Sequence, residues 1–116
     1  VMRLVGSEMC IRDRKYGLSL QTMSDVINKS SGRSGATERA LPAMLEGKQA
    51  SNFAIGLMLK DVGLATKLGN NCGAPMMLAN IARGLLQAGT YELGESANLD
   101  DITAQIEAWA DVKLKG

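Results

Sequence analysis

Hydrophobic and polar positions recur with a helical period along most of the chain, most densely in residues 53–68 (FAIGLMLKDVGLATKL). At about 100° per residue, Phe53, Leu57, Leu64 and Leu68 share one face. Ala54, Ile55, Met58, Leu59, Val62 and Ala65 continue the apolar surface round the back. A stretch apolar nearly all round predicts a helix buried at the centre of a bundle. One narrow stripe differs, where Gly56, Lys60, Gly63 and Lys67 line up, and Asp61 borders the Phe53 face. Glycine costs about 1 kcal/mol relative to alanine inside a helix. Two of them beside Lys60 imply close approach by another helix, a strand edge or a ligand. The lysines suit the solvent edge of a buried helix equally well, with their stems on apolar surface and their ammonium groups in water.

The flanking pattern predicts further helices. Ser19 suits an N-cap, and Leu20, Met23, Val26 and Ile27 then keep one face until about Asn28. Residues 30–35 (SSGRSG) read as an interhelix loop. Their hydroxyls, amides and Arg33 also have the chemistry of an anion cradle, although the spacing is not that of a Walker A loop. Ser34 or Gly35 begins the next helix, with Glu38 in its first turn. Pro42 is expected to interrupt it, leaving residues 43–46 as one more turn before Gly47. Residues 69–73 (GNNCG) stop the central helix. Pro75 opens the following one, with Leu78, Ile81, Ala82, Leu85 and Leu86 on its apolar face, Met76 and Met77 as core filler, and Gly89 at its end. The last helix starts within residues 98–101, carries Ile102, Ile106 and Trp109 on one face, with Trp109 expected in the core and a subunit contact as its alternative, and closes at Lys113 and Lys115. No segment reads as a strand, so the fold class is all-α, a helical bundle around a central buried helix.

Residues 1–14 (VMRLVGSEMCIRDR) show neither a helical nor a strand period. They are expected to be a disordered or poorly packed tail. SEMCIRDR resembles translated sequencing-adapter read-through, so residues 1–14 are expected to be foreign to a domain formed by residues 15–116.

Composition narrows the functions available. A chain of 116 residues supports one modest core. Lysine plus arginine number 13 against 12 acids, a net charge of +1, which offers no electrostatic case for nucleic acid or an anionic membrane. The aromatics Tyr16, Phe53, Tyr91 and Trp109 are too few for base stacking. No apolar run approaches the roughly 20 residues of a membrane span. The expectation is a soluble, cytoplasmic protein with no nucleic-acid or membrane partner. Cys10 and Cys72, without any histidine, leave little for a zinc site or for Ser-His-Asp or Cys-His catalysis. A disulfide between them stays open on spacing alone, although the lack of an export signal favours free thiols.

The run Lys60, Asp61, Val62, Gly63, Leu64, Ala65, preceded by Phe53, resembles the K-D-L-G-x-A stretch of the β-hydroxyacid dehydrogenases. These are enzymes of the 3-hydroxyisobutyrate dehydrogenase and 2-hydroxy-3-oxopropionate (tartronate semialdehyde) reductase type. Val62 stands where the motif usually has leucine. The resemblance covers residues 15 to about 114, including an S-S-G-R-S-like turn. It implies a fold like the 6-phosphogluconate dehydrogenase C-terminal domain, paired in the parent chain with an N-terminal Rossmann domain that holds NAD or NADP. It further implies that Lys60 reaches the cofactor near its nicotinamide ribose, that Phe53 and Asp61 shape the substrate end of the cleft, that the substrate is a small 3-hydroxyacid, and that the enzyme is a homo-oligomer. Phe53 as an ordinary core anchor remains an alternative.

The family's G-x-G-x-x-G turn, its S-G-G turn and the G-x-x-x-K-x-x-N-N-like helix with the catalytic lysine are not among the 116 residues. No residue here is therefore assigned as catalytic or as a metal ligand, and the chain by itself is expected to be inactive. The choice between NAD and NADP, and the identity of the hydroxyacid, stay open. A second reading, drawn from the apolar faces alone, is an autonomous all-α self-association module.

Overall fold

The computed structural model describes residues 2–115, with side chains from residue 8 onward. Six helices follow one another among these residues: α1 (Met2–Tyr16), α2 (Leu20–Asn28), α3 (Gly35–Leu45), α4 (Ile55–Asn71), α5 (Met77–Leu93) and α6 (Asp101–Ala110). The only extended pairing among them is an isolated antiparallel bridge between Ala54 and Asn98. The all-α expectation holds. No described helix is long and apolar enough to cross a membrane. The chain divides into two compact units, one of Asn52–Ile102 and the other of Met2–Ser51 with Thr103–Gly116.

In the second of these, α1, α2 and α3 pack on one another. Ser19 caps α2, its Oγ accepting from the Thr22 amide at 3.1 Å. Leu20, Met23 and Ser24 form the buried side of α2. Ser34 opens α3 with a reciprocal capping box: the Thr37 amide donates to Ser34 Oγ at 3.1 Å, and the Ser34 amide to Thr37 Oγ1 at 2.9 Å. Pro42 does not interrupt α3, contrary to the sequence pattern. The imide ring keeps a helical φ, and the carbonyl it leaves without a donor belongs to Glu38, an exposed residue that water can serve.

The disorder expected for residues 1–14 is corrected to helix over the described part. Tertiary contacts supply what the pattern lacks. Cys10 and Ile11 are buried, and the last turn is held from outside: Arg14 Nε donates to the Lys113 carbonyl at 3.0 Å and Lys15 Nζ to that of Ala110 at 2.6 Å. Beyond α6, Leu114 is buried and its amide donates to Glu107 Oε1 at 2.8 Å. Helix α6 stops at Ala110, before the two lysines. Ile106 is buried as expected, but Trp109 is 56% exposed and does not enter the core.

In the Asn52–Ile102 unit α4 packs on α5. The expected burial of the central helix is corrected here. Leu57, Leu64 and Leu68 are 51%, 59% and 69% exposed, while Ile55, Thr66 and Gly69 are buried. Helix α5 likewise buries Ala82, Leu86 and Gly89 and leaves Leu78 and Ile81 exposed. Small residues explain the choice. At Gly69, a Cβ would collide with the side chain of Met76, which occupies that space. Helices meet where their surfaces let backbones come close, and the leucine faces are left outside. Met77 is exposed rather than core filler, and α5 continues past Gly89 to Leu93, where Gly94 at φ +91° ends it.

Candidate cofactor-contact site

The entrance of α4 fixes everything around the motif. Its N-cap, Ala54, has no side-chain oxygen to satisfy the first amides. The segment after α5 does so instead: the Ile55 amide donates to the Ala97 carbonyl and the Gly56 amide to the Glu95 carbonyl, both at 2.9 Å. The Leu99 amide returns a bond to the Phe53 carbonyl at 2.8 Å. These three rungs straddle the Ala54 and Asn98 bridge. Asn98 and Asp101 steady the returning strap, since the Asn98 amide donates to Asp101 Oδ2 at 3.1 Å and the Asp100 amide to Asn98 Oδ1 at 2.9 Å.

The glycine stripe now has a physical account. A Cβ on Gly56 would lie 3.0 Å from the Glu95 carbonyl oxygen and 3.1 Å from Glu95 Cβ, so the strap is what approaches there. At Gly63 the neighbour is another helix, with Arg83 Nε of α5 3.7 Å from the place of a Cβ. Close approach is therefore seen at Gly56, by a loop segment rather than a helix or strand, while Gly63 has only ordinary contact with a side chain. Lys60 lies between them, exposed, and forms no ion pair or side-chain hydrogen bond among the described residues. The same holds for Arg83.

Asp61 is exposed one residue on, about 100° further round the helix, and so adjoins Lys60 without sharing its face. Phe53 precedes α4 rather than belonging to it; its side chain is half-buried and its backbone is a rung of the clasp. The structure therefore keeps Phe53, Lys60 and Asp61 in one unit, yet joins them by no direct bond. Arg83 and Glu95 were not legible as neighbours of the stripe. Nothing in the period of α5 says which of its polar residues will border α4, because that depends on how the two helices pair.

The first amides of α4 are already engaged by the strap, so they cannot serve an anion as a helix N-terminus otherwise would. Polar contact to a ligand along this flank has to come from side chains. The side chains available are those of Lys60 and Arg83, two exposed cations without a partner among the described residues. The 30–35 loop offers less. Ser34 is spent on the capping box, Ser30 Oγ donates to the Ile27 carbonyl at 3.0 Å, and Arg33 pairs with Glu38 at 3.4 Å. It behaves as an interhelix loop.

The two thiols differ. Cys72 is exposed, whereas burial, with a smaller contribution from Asp13, raises the Cys10 thiol above its ordinary range against a small opposing effect of Arg12. Both are free.

A family profile described as the NAD-binding domain of NADP-dependent 3-hydroxyisobutyrate dehydrogenase matches residues 1–109. Among curated proteins, the chain is similar to 2-(hydroxymethyl)glutarate dehydrogenase of Eubacterium barkeri, 33% identical over 105 residues, or 89% of this chain and 34% of the relative. It is also similar to L-threonate dehydrogenase of Escherichia coli K12, 22% identical over 111 residues, or 96% of this chain and 36% of the relative. The chain thus spans about a third of the length of these relatives. NAD(P) is the cofactor class of the matched family. The profile covers nearly the whole chain, and the all-helical fold agrees with it: the chain belongs to the family of NAD-binding domains of 3-hydroxyisobutyrate dehydrogenase-like enzymes.

Proposed function

We propose that this chain is the cofactor-covering, substrate-cleft and subunit-contact part of an NAD(P)-dependent 3-hydroxyacid dehydrogenase of the 3-hydroxyisobutyrate dehydrogenase or 2-hydroxy-3-oxopropionate reductase type. It closes over a Rossmann domain of the same parent chain and has no turnover alone. The observation that carries the reading is Lys60: an uncommitted ammonium on the exposed flank of α4, in the family's motif, with a second uncommitted cation one helix away. When bound, the nicotinamide would exchange a hydride with the hydroxyl-bearing carbon of the substrate. Lys60 would hold the cofactor by donating to its ribose or phosphate oxygens, assisted by Arg83. Phe53 would present apolar surface at the substrate end, and Asp61 would limit access by anions to the same edge. The clasp of residues 95–99 on residues 53–56 keeps α4 in place, which is the positioning that a cofactor contact requires.

In the complete enzyme, Lys60→Ala is expected to weaken dinucleotide binding about tenfold, near 1.4 kcal/mol, with a smaller change in KM for the hydroxyacid. Unchanged dinucleotide affinity would refute the role of Lys60. The purified 116-residue chain, mixed with NAD or NADP and small 3-hydroxyacids, is expected to show no turnover; measurable oxidation would overturn the claim that it is inactive alone.

A second reading rests on the exposed leucines of α4 and the exposed Met77, Leu78 and Ile81 of α5. Exposed apolar surface of this kind marks contact faces, and a self-association module would use it without any cofactor. Sedimentation of Lys60→Glu and Leu64→Lys variants separates the two. Association lost only with Leu64→Lys leaves Lys60 to the cofactor, whereas association lost with Lys60→Glu places it in the interface.

A further inference from the structure

Charge is spread unevenly over the Asn52–Ile102 unit. Residues 62–91, the greater part of α4 and α5, hold Lys67 and Arg83 and no acid, and Lys60 stands just before them. In the rest of the chain several cations pair with carboxylates: Arg12 with Asp13, Arg33 with Glu38, Lys48 with Glu46 and Lys113 with Glu107. Lys60, Lys67 and Arg83 are all exposed and have no such partner among the described residues.

The pairing of α4 with α5 gathers these three cations. Lys60 and Lys67 lie three residues before and four residues after Gly63, within about 60° of it round the helix. Neighbours at such spacings have Cβ atoms about 5–6 Å apart. Gly63 has no side chain, and Arg83 Nε lies 3.7 Å from the place its Cβ would take. The guanidinium therefore meets α4 at the point that the two lysines flank. The carboxylates of the same two helices and of the strap lie elsewhere. Asp61 is about 100° round the helix from Lys60. Glu95 packs at Gly56, seven residues or about 10.5 Å of helix rise from Gly63. Glu92 is nine residues past Arg83 on α5, roughly 13.5 Å along its axis. Like charges on adjoining turns repel, and no carboxylate pairs with these.

We propose that Arg83 and Lys67, with Lys60 at their edge, form a binding site for a phosphate group on the α4–α5 flank. A guanidinium presents two parallel N–H donors to phosphate, and an ammonium on each side adds further charge-assisted donors. A phosphate suits the place better than a carboxylate, because its tetrahedral oxygens meet donors arriving from three directions. The bare backbone of Gly63 leaves room for it among the three side chains. The site goes beyond the cofactor contact of Lys60, since it is centred on Arg83 and Lys67 and does not require a dinucleotide. Its phosphate belongs either to the dinucleotide or to a free phosphate compound.

The probe is inorganic phosphate, titrated into the isotopically labelled 116-residue chain against chloride at constant ionic strength, with backbone amide resonances as the readout. Saturable shifts centred on residues 60–67 and 80–87 are expected. Arg83→Gln and Lys67→Gln are each expected to weaken phosphate up to about fivefold, whereas Lys29→Gln in the other unit should leave it unchanged. Shifts that fail to saturate, or that chloride reproduces, would reduce the effect to screening and overturn the site. Unchanged phosphate affinity in both variants would overturn it as well. In the complete enzyme, competition between inorganic phosphate and the dinucleotide, with both variants weakening the dinucleotide, supports the site with the cofactor's phosphate as its occupant. Binding without competition supports it with a free phosphate compound instead. Unchanged dinucleotide affinity in Lys60→Ala refutes the cofactor role of Lys60 alone and leaves the phosphate site standing.

Discussion

Gly56→Ala is the substitution that most directly tests the clasp holding α4. An alanine Cβ there would stand 3.0 Å from the Glu95 carbonyl oxygen and 3.1 Å from Glu95 Cβ. That oxygen accepts from the Gly56 amide itself at 2.9 Å, and the next rung, Ile55 to Ala97, is equally short. The strap therefore cannot retreat by a few tenths of an ångström without loosening the bonds that satisfy the first turn. Overpacking of this kind costs about 1–3 kcal/mol, and weakening one hydrogen bond adds up to about 1 kcal/mol. Against this stands a helix-propensity gain of at most about 1 kcal/mol. The net expectation is destabilisation by roughly 1–2 kcal/mol. Gly84, in the middle of α5, has nothing within 4 Å of a Cβ, so Gly84→Ala is expected to stabilise by about 0.8–1 kcal/mol. Urea unfolding followed by circular dichroism, at matched protein concentration, should separate the two variants by roughly 2 kcal/mol, on the order of thirtyfold in the folding constant. Gly56→Ala as stable as Gly84→Ala would refute the argument, because the strap would then not be bearing on α4.

Other outcomes follow from the same structure. Ser34→Ala removes the bond from the Thr37 amide to Ser34 Oγ, leaving the Ser34 amide on Thr37 Oγ1, and should lose about 1 kcal/mol by urea unfolding, whereas Ser31→Ala in the exposed loop should change little. The Cys10 thiol is raised by burial above 9.0, so the unfolded chain loses this proton first as pH climbs. The folded state then binds more protons than the unfolded one, and stability falls as pH rises through 9.0 towards the folded value, having been complete below it. Cys10→Ala should flatten that alkaline slope. In the native chain Cys72 should react with a thiol reagent well before Cys10, and equal rates would contradict the burial of Cys10.

Much of the helical framework was written locally. Ser19 and Ser34 are caps because a side-chain oxygen two or three residues before free amides is a short-range geometric fact, and α2 and α3 begin where those serines predict. The class of the fold and the family motif around Lys60 were legible for the same reason: both depend on residue order within a helix or two. What the pattern could not decide was which apolar face is inside. Leu57, Leu64 and Leu68 are as hydrophobic as any core residue, yet the side of α4 carrying Thr66 and Gly69 is buried, because small residues let α5 approach and large ones hold it away. Period alone cannot rank two apolar faces. The neighbours of the glycine stripe, Glu95 and Arg83, lie 39 and 20 residues from Gly56 and Gly63 in sequence, and only tertiary pairing brings them there. Helix α1 was illegible because burial of Cys10 and Ile11 and the two cation-to-carbonyl bonds, rather than any period of its own, hold it. Sequence by itself determined the helical class, the serine caps of α2 and α3 and the chemistry carried at position 60. Tertiary structure decided which surfaces those elements hide, since burial is a property of what another part of the chain can approach.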